Sequence, residues 1–201
     1  MLFILSICSC HIQIMPKLYQ LIQKLNSLRA KSKVFLVAID GRGGSGKSTL
    51  ARKLSEAISD IQTIHLDDFA TDPGVDRKRL LDQVLIPLKS GQPTNYQRFD
   101  WDTKKLGSWE KVEVKGTIII EGVSTLHDDL NQHFDFRIWV ECPTKIGFER
   151  GLKRDRDEFG IDTKEKWLNL WMPEEKKYID SQNPREKADY IYFCSSENET
   201  C

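Results

Sequence analysis

Net charge is missing from this sequence: 30 Lys+Arg meet 30 Asp+Glu over 201 residues. A chain without a basic excess has no bulk field with which to gather nucleic acid. No nucleic-acid partner is therefore expected, and any anionic ligand must be held by local charges and backbone dipoles. Cysteine is scarce. The five residues Cys8, Cys10, Cys142, Cys194 and Cys201 are odd in number and irregular in spacing, which excludes a disulfide framework and predicts a reduced, cytoplasmic chain. Cys8, Cys10 and His11 lack a second ligand pair at zinc-like spacing, so no metal is read there. Gly 12 and Pro 7 are too few for a collagen-like or low-complexity chain.

Long apolar runs are missing as well. Met1–Ile14 is strongly apolar, yet shorter than the about 20 residues a bilayer requires. It also lacks the positive opening of a secretory signal. No membrane partner is expected. Residues 1–14 are read as an apolar N-terminal extension outside the fold, with Met15 the expected start, and residues 15–201 as a single domain. No repeat or Pro/Ser-rich linker divides that domain.

Strand-like and helix-like patterns alternate along it. Leu18, Leu21, Ile22, Leu25 and Leu28 recur at helical spacing. Val34–Ile39 is a short continuous apolar run, the pattern of a strand buried on both faces. Thr49–Ser59 reads as a helix, Ile61–Leu66 as a strand and Arg77–Lys89 as a helix. Gly91–Gly107 reads as a polar loop, Glu110–Val114 as a short edge strand, and Thr117–Ile120 and Phe136–Val140 as buried strands. Thr144–Lys153 is a helix, Asp155–Thr163 a charged loop, Lys164–Asp180 a helix and Tyr190–Phe193 a last strand. The predicted class is α/β: a three-layer, doubly wound fold with a mainly parallel sheet of about five strands.

Gly41-Arg42-Gly43-Gly44-Ser45-Gly46-Lys47-Ser48 matches G-x-x-x-x-G-K-[ST] at every fixed position, after a strand and before a helix. This identifies a P-loop and a P-loop NTPase fold. Gly41 to Thr49 would cradle phosphates with backbone N–H groups and the dipole of the helix that follows. Lys47 would bridge the terminal phosphates and Ser48 would ligate Mg²⁺. Asp67 and Asp68 end the second strand, at the sheet edge where ligands sit in such folds. A carboxylate there can take the proton of an attacking hydroxyl, or it can simply cap the next segment. Glu121, after the apolar run Ile118–Ile120, fits a carboxylate that positions Mg²⁺, with Asp67 as a further candidate metal ligand.

Arg150 and Arg154 lie four apart, on one helical face, before a charged segment that could close over a nucleotide as a short helical lid. A solvated charged face is the alternative reading. Tyr96, Arg98, Asp100 and their neighbours Phe99 and Trp101 could stack a base and bind ribose hydroxyls, or form an ordinary anchored loop. His127 could reach an acceptor or start a surface helix. His65, Trp139, Trp167 and Trp171 are read as structural.

The chain resembles the uridine kinase-like P-loop kinases in GRGGSGKSTLARKL, HLDDF, YQRFDW, IIIEG, ERGLKRD and REKADYIY. The resemblance implies transfer of the γ-phosphate of ATP to a small hydroxyl-bearing acceptor such as uridine or cytidine. It places Asp67 on the base position. Lys47, Arg150 and Arg154 are the further candidate catalytic residues, and Asp68, Tyr96, Arg98, Asp100 and His127 the acceptor-side candidates. ATP and Mg²⁺ are the implied cofactors, and a homo-oligomer is left open. Two departures bear on the acceptor. Ala70 stands where uridine kinases commonly carry Tyr, and Glu158-Phe159-Gly160 replaces further lid arginines. The alternative is a nucleotide-dependent switch, against which the absence of an N-K-x-D motif weighs.

Overall fold

The computed structural model describes residues 11–30, 32–71 and 74–194. Cys8, Cys10, Cys201 and most of the apolar extension lie outside the described residues. In chain order come α1 (His11–Arg29), β1 (Val34–Gly41), α2 (Lys47–Ala57), β2 (Ile61–His65), a 3-10 turn (Leu66–Phe69), and the two-residue strands β3 (Ala70–Thr71) and β4 (Gly74–Val75). Then follow α3 (Arg77–Leu80), a π-helical turn (Leu81–Leu85), α4 (Ile86–Lys89), β5 (Thr94–Asp100), β6 (Lys105–Val112), β7 (Gly116–Glu121), α5 (Asp128–Asn131) and β8 (Phe136–Glu141). The chain ends with α6 (Thr144–Phe159), α7 (Lys164–Lys166), a second π-helical turn (Trp167–Trp171), α8 (Met172–Gln182), α9 (Pro184–Lys187) and β9 (Tyr190–Phe193).

Five strands form one parallel sheet in the order β2-β7-β1-β8-β9. Its apolar strands bury both faces, as their unbroken hydrophobicity requires. Alternate residues of β1 part to opposite sides. Leu36 and Ala38 meet Ile118, Ile120, Leu80, Val84, Leu85 and Leu88 on one face. Val37 and Ile39 meet Leu21 and Leu25 of α1 and Leu50, Ala51 and Leu54 of α2 on the other. Each such Leu or Ile contributes on the order of 1.5–3 kcal/mol by burial. The doubly wound α/β expectation and the first helix are therefore met. Among the described residues, no helix is long and apolar enough to cross a membrane.

Two predicted loops are regular structure. The segment read as a polar loop, and the strand placed at 110–114, form an antiparallel hairpin of their own, with Tyr96 opposite Glu110 and Thr94 opposite Val112. It is not an edge of the main sheet. The hairpin turns its buried Tyr96 and Val112 into the core and leaves Trp101, Leu106 and Trp109 exposed. That one-sided burial keeps its mean composition polar. The charged loop 155–163 is shortened because α6 continues to Phe159 and stops at Gly160, whose φ of 67° suits a glycine C-cap. Helix persists there because Asp155 is buried and accepts from Thr163 Oγ1 at 2.5 Å and Trp167 Nε1 at 2.9 Å. Trp139 and Trp167 are buried as expected, whereas Trp171 is exposed, its edge against the Trp167 ring.

The scattered cysteines conceal one neighbouring pair. Cys142 and Cys194 follow β8 and β9 and are free thiols in contact. Burial, then the Cys194 partner, pushes the Cys142 thiol up to about 12, so it carries no thiolate at neutral pH.

Helix α6 approaches the turn after β1 through glycine. A Cβ on Gly44 would lie 2.0 Å from Gly147 O, and one on Gly151 would lie 2.2 Å from Trp167 Cζ2. Gly151→Ala should overpack this contact and lower stability by about 1–3 kcal/mol. The measurement is a urea titration, in which the midpoint falls while the slope stays unchanged.

Candidate active site

The central position of β1, between β7 and β8, puts the turn Gly41–Lys47 at the carboxyl edge of the sheet. Gly44 and Gly46 take φ values of 66° and 99°, conformations that L side chains resist. The curl that results opens onto the first turn of α2, whose leading N–H groups have no carbonyl ahead of them in the helix. Lys47 is buried, and its Nζ donates to Gly41 O at 3.1 Å and Arg42 O at 2.9 Å. Thr49 is exposed in that same first turn. Ser45 Oγ is fully buried and has no hydrogen-bond partner among the described residues. A desolvated hydroxyl costs about 1–3 kcal/mol until something answers it, so the loop holds polar capacity for a ligand.

Three chain segments bring their oxygens and cations to this loop. Glu121, at the end of β7, accepts from Ser48 Oγ at 2.9 Å and lies 2.6 Å from His65 Nδ1. Burial pushes the Glu121 carboxyl up, but the His65 bond, the Lys47 charge and Ser48 together hold it below the usual range. The same contact raises His65. Asp67 follows β2 and faces the same group. Its side chain is reachable by solvent, yet surrounded densely enough that desolvation is the largest cause of a raised pKa. Repulsion from Glu121 adds to the rise, and Lys47, His65 and Arg154 oppose it. The Asp67 carboxylate makes no hydrogen bond among the described residues, unlike its neighbour.

Asp68 is consumed by structure. It is buried, accepts from Tyr96 Oη at 3.0 Å and pairs with Arg98 Nε at 3.0 Å. Arg79 donates to the Asp68 carbonyl at 3.1 Å and lies over the Phe69 ring. The hairpin is thereby fastened beside Asp67. Asp100 turns away from this group and accepts the Asp102 and Thr103 N–H groups at the hairpin tip. His127 caps α5 and pairs with Asp129 at 3.2 Å. The charges that act on it are Arg77, Asp129, Asp128 and Lys187, none of them in the Lys47–Asp67–Glu121 group.

On the α6 side, Arg154 is within electrostatic reach of Asp67 and forks onto Asp155 at 2.7 and 3.1 Å. Arg150 points its Nη1 toward Cys142 Sγ at 4.0 Å. The structure thus brings Lys47, Ser48, Asp67, Glu121 and Arg154 together, places Asp68, Tyr96 and Arg98 as one neighbouring unit, and leaves Asp100 and His127 outside both.

Four contributors were not legible as such in the sequence. His65 was read as structural, but it ends β2 pointing at Glu121. Asp40 is fully buried below the loop and accepts from Gly41 N–H at 2.6 Å, Leu126 N–H at 2.8 Å, Ser124 N–H at 3.2 Å and Tyr178 Oη at 2.6 Å. Burial raises its pKa. Glu175 reaches the loop from α8 and accepts from Gly43 N–H at 2.6 Å and Arg42 Nη1 at 2.9 Å. Trp167 presses its ring where a Gly43 Cβ would be, at 2.6 Å. Only the position of Asp40 at the end of an apolar strand was a local signal.

For a divalent cation the donors are a hydroxyl and carboxylates, hard oxygens that suit Mg²⁺. The Ser48–Glu121 contact and the Asp67–Glu121 repulsion both describe a place where a cation would be welcome. No cluster of three or more His, Cys, Asp or Glu suited to a metal occurs among the described residues.

The family model described as "Phosphoribulokinase / Uridine kinase family" matches residues 69–200. The phosphoribulokinase of Synechocystis sp. is 26% identical over 178 residues, covering 79% of this chain and 53% of that protein. The uridine kinase of Klebsiella pneumoniae subsp. pneumoniae is 33% identical over 149 residues, covering 62% of this chain and 70% of that protein. The chain therefore spans about half the length of the first relative. The solved structure of a possible uridine kinase from Bacillus stearothermophilus superposes with a TM-score of 0.70 at 20% identity, covering 90% of this chain and 99% of that one. At that identity the likeness is one of fold.

The raised pKa of Asp67 fixes the sign of a stability effect. Because the folded state holds the proton more tightly than the unfolded chain, ionising Asp67 above its folded pKa costs stability. That cost is absent below the ordinary value of 3.8. Asp67→Asn should therefore melt higher than the parent at pH 7, and the gap should close as pH falls toward 4. Thermal melts across that range read it directly.

Proposed function

The chain belongs to the phosphoribulokinase/uridine kinase family, and on that premise we propose that it is an ATP-dependent kinase acting on a hydroxyl of a nucleoside such as uridine or cytidine. The observation that carries the reading is the division of labour between adjacent carboxylates. Asp68 is spent on Tyr96 and Arg98, while Asp67 stands unbonded beside the phosphate loop with its pKa raised. A general base works best when its pKa is moved toward the working pH.

In the proposed reaction, the N–H groups of Gly44 to Ser48 and the α2 dipole hold the ATP phosphates. Lys47 transfers its donors from the Gly41 and Arg42 carbonyls to phosphate oxygens. Asp67 takes the proton of the acceptor hydroxyl as that oxygen bonds to the γ-phosphorus. The bond to the β–γ bridging oxygen breaks and ADP leaves. Arg154 lies close enough to offset the charge spreading over the transferred group, with Arg150 one turn earlier on α6. Mg²⁺, when held by Ser48 and Glu121, neutralises phosphate charge. The hairpin supplies the ring faces of Phe99 and Trp101 for the acceptor, while Tyr96 and Arg98 hold Asp68. Both Arg79 and Arg98 are already committed to Asp68, which favours an uncharged acceptor over a sugar phosphate.

The test is ADP release by the purified full chain with ATP and Mg²⁺ against uridine, cytidine and ribulose 5-phosphate. Stimulation by a nucleoside is the expected result. Stimulation by the sugar phosphate alone would overturn the nucleoside assignment and keep the kinase. Asp67→Asn should lower kcat by on the order of 10²–10⁴-fold while ATP still binds, whereas Lys47→Ala should weaken ATP binding too. Near-normal turnover in Asp67→Asn would move the base to Asp68.

A further inference from the structure

A phosphate loop containing four glycines between Gly41 and Gly46 has little rigidity of its own. Within the loop, the turn Arg42–Ser45 is closed by one backbone bond, Ser45 N–H to Arg42 O at 3.1 Å. Lys47 Nζ adds bonds to Gly41 O and Arg42 O, and further ties come from α8. Glu175 accepts the Gly43 N–H at 2.6 Å and the Arg42 guanidinium at 2.9 Å, and its side chain is only 9% exposed. Tyr178 donates to Asp40 Oδ2 at 2.6 Å, and Asp40 itself accepts the Gly41 N–H. Residues three apart on a helix share a face. One face of α8 therefore grips the loop on both sides of Gly41.

We propose that Glu175 and Tyr178 are positioning residues that hold the phosphate loop in its nucleotide-binding shape. The inference rests on the kinase reading only in taking ATP as the ligand. Two features separate this grip from a contact that competes with phosphate. The Glu175 charge is matched by Arg42 in a pair at 2.9 Å, so the strap offers no unpaired anion to repel ATP. Its bond is to Gly43 N–H and leaves the N–H groups of Gly44 to Ser48, which lead into α2, to the ligand. The π-helical turn Trp167–Trp171 leads directly into α8 and carries the Trp167 ring onto Gly43, so the same segment also covers the loop. Without the strap, ATP binding must order Arg42–Gly44 itself, and apparent affinity falls by the fraction of loops already in shape.

The experiment is calorimetric titration of ATP into the full chain, at a temperature well below every variant's melting point. Glu175→Ala should weaken binding by about tenfold or more. Glu175→Gln keeps an acceptor for Gly43 N–H but loses the ion pair, so it should fall between the two. Tyr178→Phe should weaken binding by about threefold. In turnover, KM for ATP should rise while KM for the acceptor stays put. A residue that merely stabilises the fold would lower the melting temperature and leave the affinity of the folded protein unchanged. Unchanged ATP affinity in Glu175→Ala overturns the proposal, and tighter binding overturns it by showing a carboxylate that competes with phosphate. If Glu175→Ala does not fold, Glu175→Gln and Tyr178→Phe decide, and parent-like affinity in both overturns it. Failure of the parent to bind ATP would instead sink the kinase reading, and the strap with it.

Discussion

A loop built to wrap phosphate must be curved tightly, and the glycines that permit the curve deprive it of stiffness. The rest of this structure follows from meeting that constraint from outside. The sheet places β1 at its centre so that the loop emerges between β7 and β8. Helix α6 comes so close that only glycine fits at 44 and 147, and Gly151 makes room for the Trp167 ring. The buried Asp40 ties the loop's first N–H to the segment after β7. A buried carboxylate is costly unless its lone pairs are answered, and here four donors answer it.

The second organising fact is how like charges are kept apart in purpose. Asp67, Asp68 and Glu121 crowd one edge of the sheet, and each is treated differently. Glu121 is held ionised by His65, Lys47 and Ser48 against the push of its own burial. Asp68 is locked by Tyr96 and Arg98. Asp67 is left with desolvation and the repulsion of Glu121, which together raise it. Separation of pKa values among neighbouring carboxylates is how acid and base roles become distinct in one site. Arg154 completes the balance from α6, although it spends its best bonds on Asp155.

Much of this was legible in the residues. Val34–Ile39 and Thr117–Ile120 declared buried parallel strands because two covered faces leave no room for polar alternation. The loop from Gly41 to Ser48 declared itself by spacing, and Asp67 and Glu121 by following apolar runs. The hairpin at Thr94–Val112 was not legible, since its one buried stripe of Tyr96 and Val112 is diluted by exposed Trp101 and Trp109. The end of α6 was missed because Asp155 looks like a solvated charge until Thr163 and Trp167 fold back on it. His65 looked like an interior strand residue because nothing local tells which strand ends meet.

By itself, then, the sequence determined the class of fold and the phosphate loop, because each rests on near neighbours: the period of a strand, the φ freedom of glycine, the start of a helix. What only the tertiary structure decided was which of two adjacent carboxylates is left unbonded and which distant residues brace the loop. Those answers depend on Tyr96, Arg98, Glu175 and Tyr178, which lie 28 to 138 residues from the groups they bond. No local pattern encodes such contacts, because they exist only once the strands have taken their order in the sheet.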